Sequence, residues 1–312
     1  MKFGVVMDPM GSINFKKDST LSILIEAQSR KHDLIYMEPS SLFLREDGAY
    51  ALTQEIKVRD DSENWFELSD TSEMRLSDLD MIVMRQDPPF DVNYIYNTYV
   101  LEAAEKNGVL VINKPSSLRD CNEKVFVSEF PQCCTPYLVA SEERLLKDFI
   151  YLHKDIVAKP LDGMGGSSVY KIRHDDLNIS VILEDLTKNF TRKIMLQVFI
   201  PEITDGDKRI LLINGQPMNS AIARIPAEGE FRGNLAVGGV AIAKSLTDRD
   251  KWICDEIGPI LKDLGLIFVG IDIIGNYLTE INVTSPTCIQ EYKNLCDIDV
   301  TKVLVDYVEN NL

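Results

Sequence analysis

The sequence is poor in residues that build metal cages or disulfide frameworks. It has six cysteines, none in Cys-x-x-Cys spacing, and only three histidines. A zinc site lacks ligands at a useful spacing, and the cysteines do not form the pattern of a disulfide framework. We therefore expect reduced thiols, and we interpret the adjacent Cys133 and Cys134 as small buried hydrophobic residues rather than a redox pair.

Long apolar segments are also missing. The chain has no run of about 18 apolar residues, the length that predicts a membrane helix, and the apolar stretch in MKFGVVMDPMG is too short for a secretory signal. With 312 residues, 45% of them hydrophobic, and a mean hydropathy of −0.07, we expect a cytoplasmic globular protein of two or three domains.

Positive charge is in deficit. The chain carries 33 Lys and Arg against 49 Asp and Glu, a formal net charge of −16. Such a protein repels polyanions at a distance, so we expect neither a nucleic acid nor a membrane as partner. A small anionic ligand must then be held by local basic side chains or backbone amides.

The first third of the chain alternates β-rich segments with helical patterns. FGVVM, DLIYM, DMIVM and VLVI favour strands, and the segments between them include two helical patterns. This alternation predicts a mainly parallel sheet. Ligands bind beyond the carboxyl ends of such strands, where Asp8, Arg85 and Asp87 stand. Because no Gly-x-Gly-x-x-Gly follows the first strand, we expect part of a substrate there rather than a dinucleotide.

A change of pattern near NKPSSLRDCNEK, residues 113–124, predicts a domain boundary, with domains at 1–120 and 121–312. Beyond it we expect antiparallel sheets, since strand-like IVAKP and SVYKI flank a loop and Asn214-Gly215 is a strong hairpin signal. Lys124 falls in a segment that we expect to be helical. Residues 225–239 contain four glycines and little periodicity.

A glycine-rich loop, residues 162–168, lies within KPLDGMGGSS. Its glycines allow backbone N–H groups to approach an anion closely, and Lys159 would add a positive charge. The segment is not a Walker loop, and taken alone it is explained equally well as a flexible turn.

The segment IFVGIDIIGNYLTEINV predicts a carboxy-terminal hairpin. A two-residue turn at 275–276 would put Asp272 and Glu280 on opposite faces, whereas a three-residue loop at 275–277 would set them directly opposite each other. We favour the longer loop, which also brings Asn282 to the same face. Two carboxylates and an amide suit Mg²⁺; a solvated acidic face is the alternative.

Several segments share their order along the chain with a known family: VMDP, RQDPPFD, NKPSSLRDCNEK, KPLDGMGGSS, DGDKR, ARIPAEGEFRGNLAVGG, GIDIIG and TEINVTSPT. Together they resemble the bacterial glutathione synthetases of the ATP-grasp superfamily, over nearly the whole chain. The resemblance implies an α/β (α+β) fold, in which a parallel-sheet, Rossmann-like pre-ATP-grasp domain precedes an ATP-grasp domain with antiparallel sheets.

The resemblance also implies an activity. The protein would be an ATP-dependent carboxylate-amine ligase that joins γ-glutamylcysteine to glycine with Mg²⁺ or Mn²⁺, giving glutathione, ADP and phosphate through an acyl phosphate. A homo-tetramer is the implied assembly. The alternatives are another ATP-grasp ligase, of the D-alanine or amino-acid type, and a nucleotide-binding ATP-grasp protein without catalysis.

Nucleotide contacts follow from the resemblance. Lys124 and Lys159 would bind the phosphates, although on pattern alone Lys124 is a surface lysine. The remaining residues implied for ATP are those of the glycine loop, Gly163, Gly165, Gly166 and Ser167; those along the adenine edge, Gln197, Val198, Phe199 and Ile200; and Asp207 near the ribose.

Metal, substrate and lid residues are implied in the same way. Asp272, Glu280 and Asn282 would hold Mg²⁺. Arg209 would stabilise charge on the acyl phosphate, a structural salt bridge being the alternative. The residues implied for the peptide substrate are Ser285 and Thr287, with Arg85 and Asp87 from the first domain. Residues 225–240 resemble a mobile lid anchored by Arg224 and Arg232, although Val240 stands where relatives tend to have a basic residue.

Overall fold

The computed structural model describes residues 1–235 and 238–312. Its strands are β1 Lys2–Val6, β2 Asp33–Met37, β3 Leu42–Arg45, β4 Gly48–Val58, β5 Phe66–Leu68, β6 Ser72–Arg75, β7 Met81–Met84, β8 Leu110–Ile112, β9 Tyr137–Ala140, β10 Asp155–Pro160, β11 Tyr170–Arg173, β12 Ile194–Val198, β13 Asp207–Ile213, β14 Gln216–Pro217, β15 Ser220–Ile225, β16 Val240–Ser245, β17 Phe268–Ile274 and β18 Tyr277–Asn282. Its helices are α1 Ser19–Ser29, α2 Val92–Glu105, α3 Pro115–Asp120, α4 Glu143–His153, α5 Ile179–Thr187, α6 Asp248–Asp263, α7 Ile289–Cys296 and α8 Val300–Asn310.

The first sheet has the strand order β3-β4-β2-β1-β7-β8. Strands β2, β1, β7 and β8 run parallel, as predicted. Their continuous apolar sequences suit a sheet covered on both faces. Strand β4 pairs antiparallel with β2, β3, β5 and β6. This antiparallel extension, which spans residues 42–75, was missed by the sequence analysis.

Two antiparallel sheets follow. One has the order β11-β10-β12-β9, and the other has the order β16-β15-β13-β17-β18 with β14 beside β13. The predicted turn at Asn214 and Gly215 is confirmed, with φ values of 50° and 75° and with β14 pairing directly onto β13. The antiparallel character of the second part of the chain agrees with the predicted fold class.

The region around residue 120 joins these sheets. Here α3 ends at Asp120, and Lys124 lies in a turn rather than in the helix that the sequence analysis expected. The four-stranded sheet has its own core against α4 and α5. The first sheet and the last sheet share apolar clusters, in which Val6 and Ile281 belong to one and Phe3 and Phe268 to another. The domain boundary at residue 120 stays a prediction.

The hairpin of β17 and β18 differs from its prediction in one respect. Its turn has only two residues, Gly275 and Asn276, so the three-residue loop was wrong. Asp272 nevertheless pairs with Glu280, because the register shifts by one residue at Thr279. A bulge of this kind inserts one extra residue and so restores the pairing that the short turn alone would break.

None of the helices in the described part of the chain combines the length and apolar character needed to cross a bilayer.

Candidate active site

A cavity of about 350 Å³ opens where the second and third sheets meet. All the predicted site residues except Arg85 and Asp272 line it. The ones on its walls are Asp87, Lys124, Lys159, Gly163, Gly165, Gly166, Ser167, Gln197, Val198, Phe199, Ile200, Asp207, Arg209, Arg224, Arg232, Glu280, Asn282, Ser285 and Thr287.

Two buried lysines reach this cavity from different elements. The Lys124 ammonium lies 2.8 Å from Glu280 and donates to the carbonyl of Gly163 at 2.7 Å. The Lys159 ammonium donates to the side chain of Gln197 at 3.2 Å and to the carbonyl of Thr279 at 3.1 Å. Burial lowers the pKa of Lys159. For Lys124, burial acts in the same direction, but Glu280 outweighs it and raises the pKa.

The glycine loop touches the segment predicted as a lid. Gly165 and Gly166 have φ values of 64° and 78°, which favour glycine. The Arg232 guanidinium donates to the carbonyl of Gly166 at 3.0 Å, and a Cβ at Gly166 would lie 2.6 Å from Oδ1 of Asn234. A side chain at this position would therefore require the Asn234 side chain to move, in addition to a strained backbone conformation.

Asp272 lies beneath the cavity wall and is 3% exposed. Arg209 donates to both of its carboxylate oxygens, at 2.6 and 3.0 Å, and Arg224 approaches one of them at 2.9 Å. The amide of Asn282 also donates to this oxygen, at 3.2 Å. Burial would raise the pKa of Asp272, but the two guanidinium groups overcome it and hold the pKa well below its ordinary value.

Glu280 and Asp207 complete the acidic part of the cavity. For Glu280, Lys124 and Lys159 outweigh burial and lower the pKa. Asp207 pairs with Arg224, yet burial raises its pKa to about 6. Oδ1 of Asp207 is buried without a hydrogen-bond partner among the described residues, and so is Nε2 of Gln197. These two orphaned atoms offer an acceptor and a donor to a ligand.

The donor set fits Mg²⁺. Within residues 1–235 and 238–312, no three His, Cys, Asp or Glu side chains converge as a metal site. Asp272, Glu280 and Asn282 share one face of the β17–β18 pair, so a cation there would take two carboxylates and an amide oxygen, in place of the Arg209, Arg224 and Lys124 groups that hold the carboxylates. Mg²⁺ binds such hard oxygen ligands and completes its shell with water and substrate phosphates.

The adenine-edge segment differs in detail from the expectation of backbone contacts. The N–H groups of Val198 and Phe199 donate to the carbonyls of Pro136 and Asp155, each at 3.0 Å. These two donors are committed within the fold. Contacts to a base from this segment must come from its other polar groups, and the orphaned Nε2 of Gln197 is one of them.

Arg85 is buried outside the cavity lining. Its guanidinium donates to the hydroxyl of Thr20 at 3.0 Å and to the carbonyl of Pro286 at 2.9 Å, so it supports the turn between Ser285 and Thr287. Asp87 does line the cavity. Arg85 therefore lies behind the turn of residues 285–287, whereas Asp87 is on the cavity wall.

The predicted lid is described except for residues 236 and 237, which lie outside the described residues. Arg232 belongs to it and pairs with Glu230 at 2.6 Å. Arg224 instead belongs to β15 and is held by Asp207 and Asp272. Val240 begins β16 and is exposed.

Other cavity residues escaped the sequence analysis, namely Glu123, Asn234, Thr284 and Cys288. Glu123 directly precedes Lys124, so the quoted segment NKPSSLRDCNEK contained the signal. Burial, with Glu280 nearby, raises the pKa of Glu123. Burial also raises the pKa of the Cys288 thiol.

Comparisons with known proteins identify the family of the chain. The profile of the prokaryotic glutathione synthetase N-terminal domain matches residues 1–119, and that of the prokaryotic glutathione synthetase ATP-grasp domain matches residues 123–297. A glutathione synthetase from Pseudomonas putida is 51% identical over 100% of this chain and 98% of its own. One from Vibrio parahaemolyticus is 48% identical over 100% of this chain and 99% of its own.

A solved structure shows the same fold at low sequence identity. The ATP-grasp ligase PsnB, complexed with minimal precursor, Mg and ADP, has a TM-score of 0.63 at 15% identity and covers 99% of this chain and 97% of that one. The chain has an ATP-grasp fold and belongs to the prokaryotic glutathione synthetase family.

Proposed function

We propose that this protein joins γ-glutamylcysteine to glycine with ATP, giving glutathione, ADP and phosphate. The observation that carries the proposal is the convergence of a glycine loop, two buried lysines, Glu280 and Asn282 on one cavity, in a chain of the glutathione synthetase family. Together these groups suit phosphoryl transfer to a carboxylate.

The chemistry requires two steps. A carboxylate is a poor acylating agent, so an oxygen of the cysteinyl carboxylate first attacks the γ-phosphorus of ATP, and ADP leaves. The glycine amine then attacks the carbonyl carbon of the acyl phosphate, the bond from that carbon to the phosphate oxygen breaks, and the amine loses a proton. The protein therefore has to align the reactants and neutralise phosphate charge.

We assign the phosphates to Lys124, Lys159 and the backbone of the glycine loop, where Gly163, Gly165, Gly166 and Ser167 stand. We assign the base to residues 197–200 and the ribose to Asp207. Support comes from the two ammonium groups on the cavity wall and from the orphaned atoms of Gln197 and Asp207, which lie ready for a polar ligand.

We assign the metal to Asp272, Glu280 and Asn282. When bound, Mg²⁺ neutralises phosphate charge as a Lewis acid. Arg209 is aligned by Asp272 and lies 3.5 Å from the hydroxyl of Thr287. It therefore faces the turn that we assign to the peptide substrate, and there it stabilises charge on the acyl phosphate.

We propose that residues 225–240 form a lid that excludes water from the cavity. We also propose that Asp87, in a domain of residues 1–120, binds part of the substrate. The hydrogen bond from Arg232 to the carbonyl of Gly166 supports the lid. A closed lid protects an acyl phosphate from hydrolysis.

The activity is tested with purified protein, ATP, Mg²⁺, γ-glutamylcysteine and glycine, with products identified by mass spectrometry. We expect glutathione and ADP in equal amounts, and no peptide product when D-alanine replaces both substrates. Phosphate release that ignores γ-glutamylcysteine and glycine would overturn the proposal.

Finer features are also proposed. Mn²⁺ can take the place of Mg²⁺, because oxygen donors suit both ions.

The chain forms a cytoplasmic homo-tetramer, as the family resemblance implies. Light scattering after size exclusion tests the assembly. The expected mass is four times that of the 35.3 kDa chain, and a monomer would refute the tetramer.

A further inference from the structure

Glu123 accepts hydrogen bonds from the end of β18 and from the two residues that follow it. One oxygen of its carboxylate accepts hydrogen bonds from the N–H of Val283 at 2.9 Å, the N–H of Thr284 at 3.0 Å and the hydroxyl of Thr284 at 2.7 Å. Its backbone carbonyl accepts the N–H of Ile281 at 2.9 Å. Strand β18 ends its sheet, so these donors would otherwise lack a strand partner.

The neighbours of Glu123 reach the glycine loop. Asn122 donates to the carbonyl of Leu161 at 2.9 Å, and its oxygen accepts the N–H of Lys124. Lys124 in turn contacts the carbonyl of Gly163 and the carboxylate of Glu280. Residues 122–124 thus connect the edge of β18 with the start of the loop.

The residues that Glu123 holds alternate with candidate metal ligands. Ile281 lies between Glu280 and Asn282, and Val283 follows Asn282 directly. A strand that shifts at Ile281 and Val283 carries both ligand side chains with it, because the backbone between them is continuous. Glu123 therefore fixes the position of Glu280 and Asn282 on β18 relative to Asp272 on β17.

We propose that Glu123 is a positioning residue, whose carboxylate and carbonyl hold β18 so that Glu280 and Asn282 meet the metal and the glycine loop stays in register with them. This inference rests on the proposed function. Glu123 acts by accepting hydrogen bonds, so a neutral acceptor at the same place serves equally. It does not itself contact the reacting atoms.

The decisive pair of variants is Glu123→Gln and Glu123→Ala, with Glu129→Ala at an exposed glutamate as the matched control. In metal-free protein, hydrogen exchange of residues 281–284 should be faster in E123A alone. Calorimetry should show the affinity for Mg²⁺ with ADP falling about tenfold in E123A and staying within about threefold of wild type in E123Q.

A second variant covers the case in which E123A does not fold. Thr284→Val removes one of the three donors to the carboxylate while keeping the side-chain shape. We expect T284V to speed exchange at residues 281–284, and because Gln at residue 123 still accepts hydrogen bonds, we expect the same increase in the E123Q background.

Three outcomes would overturn the inference: equal losses in E123Q and E123A, which would assign the effect to charge; unchanged exchange and affinity in E123A; or unchanged exchange in T284V. Exchange and ADP binding do not need turnover. A wild-type protein that makes no glutathione would therefore refute the proposed function, whereas the role of Glu123 would still be decided by hydrogen exchange and by the binding of Mg²⁺ with ADP.

Discussion

Asp272 lies directly opposite Glu280 on the neighbouring strand, so two carboxylates share one face of the protein. Opposed like charges destabilise a sheet, and here the cost is offset by cations: Arg209 and Arg224 on Asp272, and Lys124 on Glu280. A metal held by Asp272 and Glu280 would supply positive charge to the same two carboxylates, and Arg209, Arg224 and Lys124 would then be available to bind phosphates.

Replacing Glu280 with Gln removes one of the two carboxylates that we propose bind the metal, while keeping the side-chain shape. We expect turnover to fall on the order of a hundredfold, as outer or inner ligand changes do at metal sites, and the circular dichroism spectrum to stay as in wild type. Glutathione formation at saturating substrates measures the effect, and Glu63→Gln, at an exposed position, is the control. Wild-type turnover in E280Q would remove the proposed metal site.

Replacing Arg209 with Lys keeps the charge and loses the fork that grips both oxygens of Asp272. Lysine cannot reproduce this bidentate geometry. If Arg209 stabilises the acyl phosphate, kcat should fall by about a hundredfold, with a smaller change in the KM for ATP. Arg59→Lys, at an exposed ion pair, should be neutral. An unchanged kcat in R209K would show that Arg209 is only structural.

Replacing Arg232 with Ala removes the hydrogen bond between the lid and Gly166. An open lid admits water to the acyl phosphate, so more phosphate should be released than glutathione is formed. Both products are measured in the same reaction, and Arg144→Ala, on the exposed side of α4, should keep them equal. Equal amounts in R232A would contradict a lid closed by this arginine.

The raised pKa of Asp207 predicts that the stability of the protein depends on pH. Its pKa rises from 3.8 as an ordinary carboxyl to about 6 in the folded protein because it is buried. Between these values the folded state binds more protons than the unfolded state, so stability falls as the pH rises. The stabilisation from this group is complete below pH 3.8 and is lost as the pH passes through 6.

Denaturant unfolding of wild type and Asp207→Asn across this window tests the prediction. The free energy of unfolding of wild type, relative to D207N, should fall with rising pH by on the order of 3 kcal/mol. Asp70→Asn, at an exposed position, should show no such trend. A difference between wild type and D207N that is independent of pH would contradict the raised pKa.

Most of the family motifs lie together because they follow or end a strand whose apolar pattern could be recognised in the sequence, and DGDKR instead begins β13. The bulge at Thr279 could not be predicted, since no glycine or proline marks it and the register depends on pairing with β17. The antiparallel extension beyond β2 was equally hidden. Its strands β5 and β6 are short and partly exposed, so they lack a strong apolar pattern.

Side-chain partners were harder to predict than positions. Arg224 pairs with both Asp207 and Asp272 only because three strands meet in the folded protein. Within the described part of the chain, the amide of Gln197 lacks a hydrogen-bond partner because of the residues packed around it, which its own segment does not specify. The role of Glu123 was hidden for the same reason, because its partners lie about 160 residues away and no local pattern announces them.

Gly166 lies so close to Asn234 that a methyl group at residue 166 would displace the end of the Asn234 side chain. If residues 225–240 act as the proposed lid, larger side chains at residue 166 should hold the two segments progressively further apart. The hydrolysed fraction of the acyl phosphate should then rise with side-chain size, while the rate at which it forms stays constant.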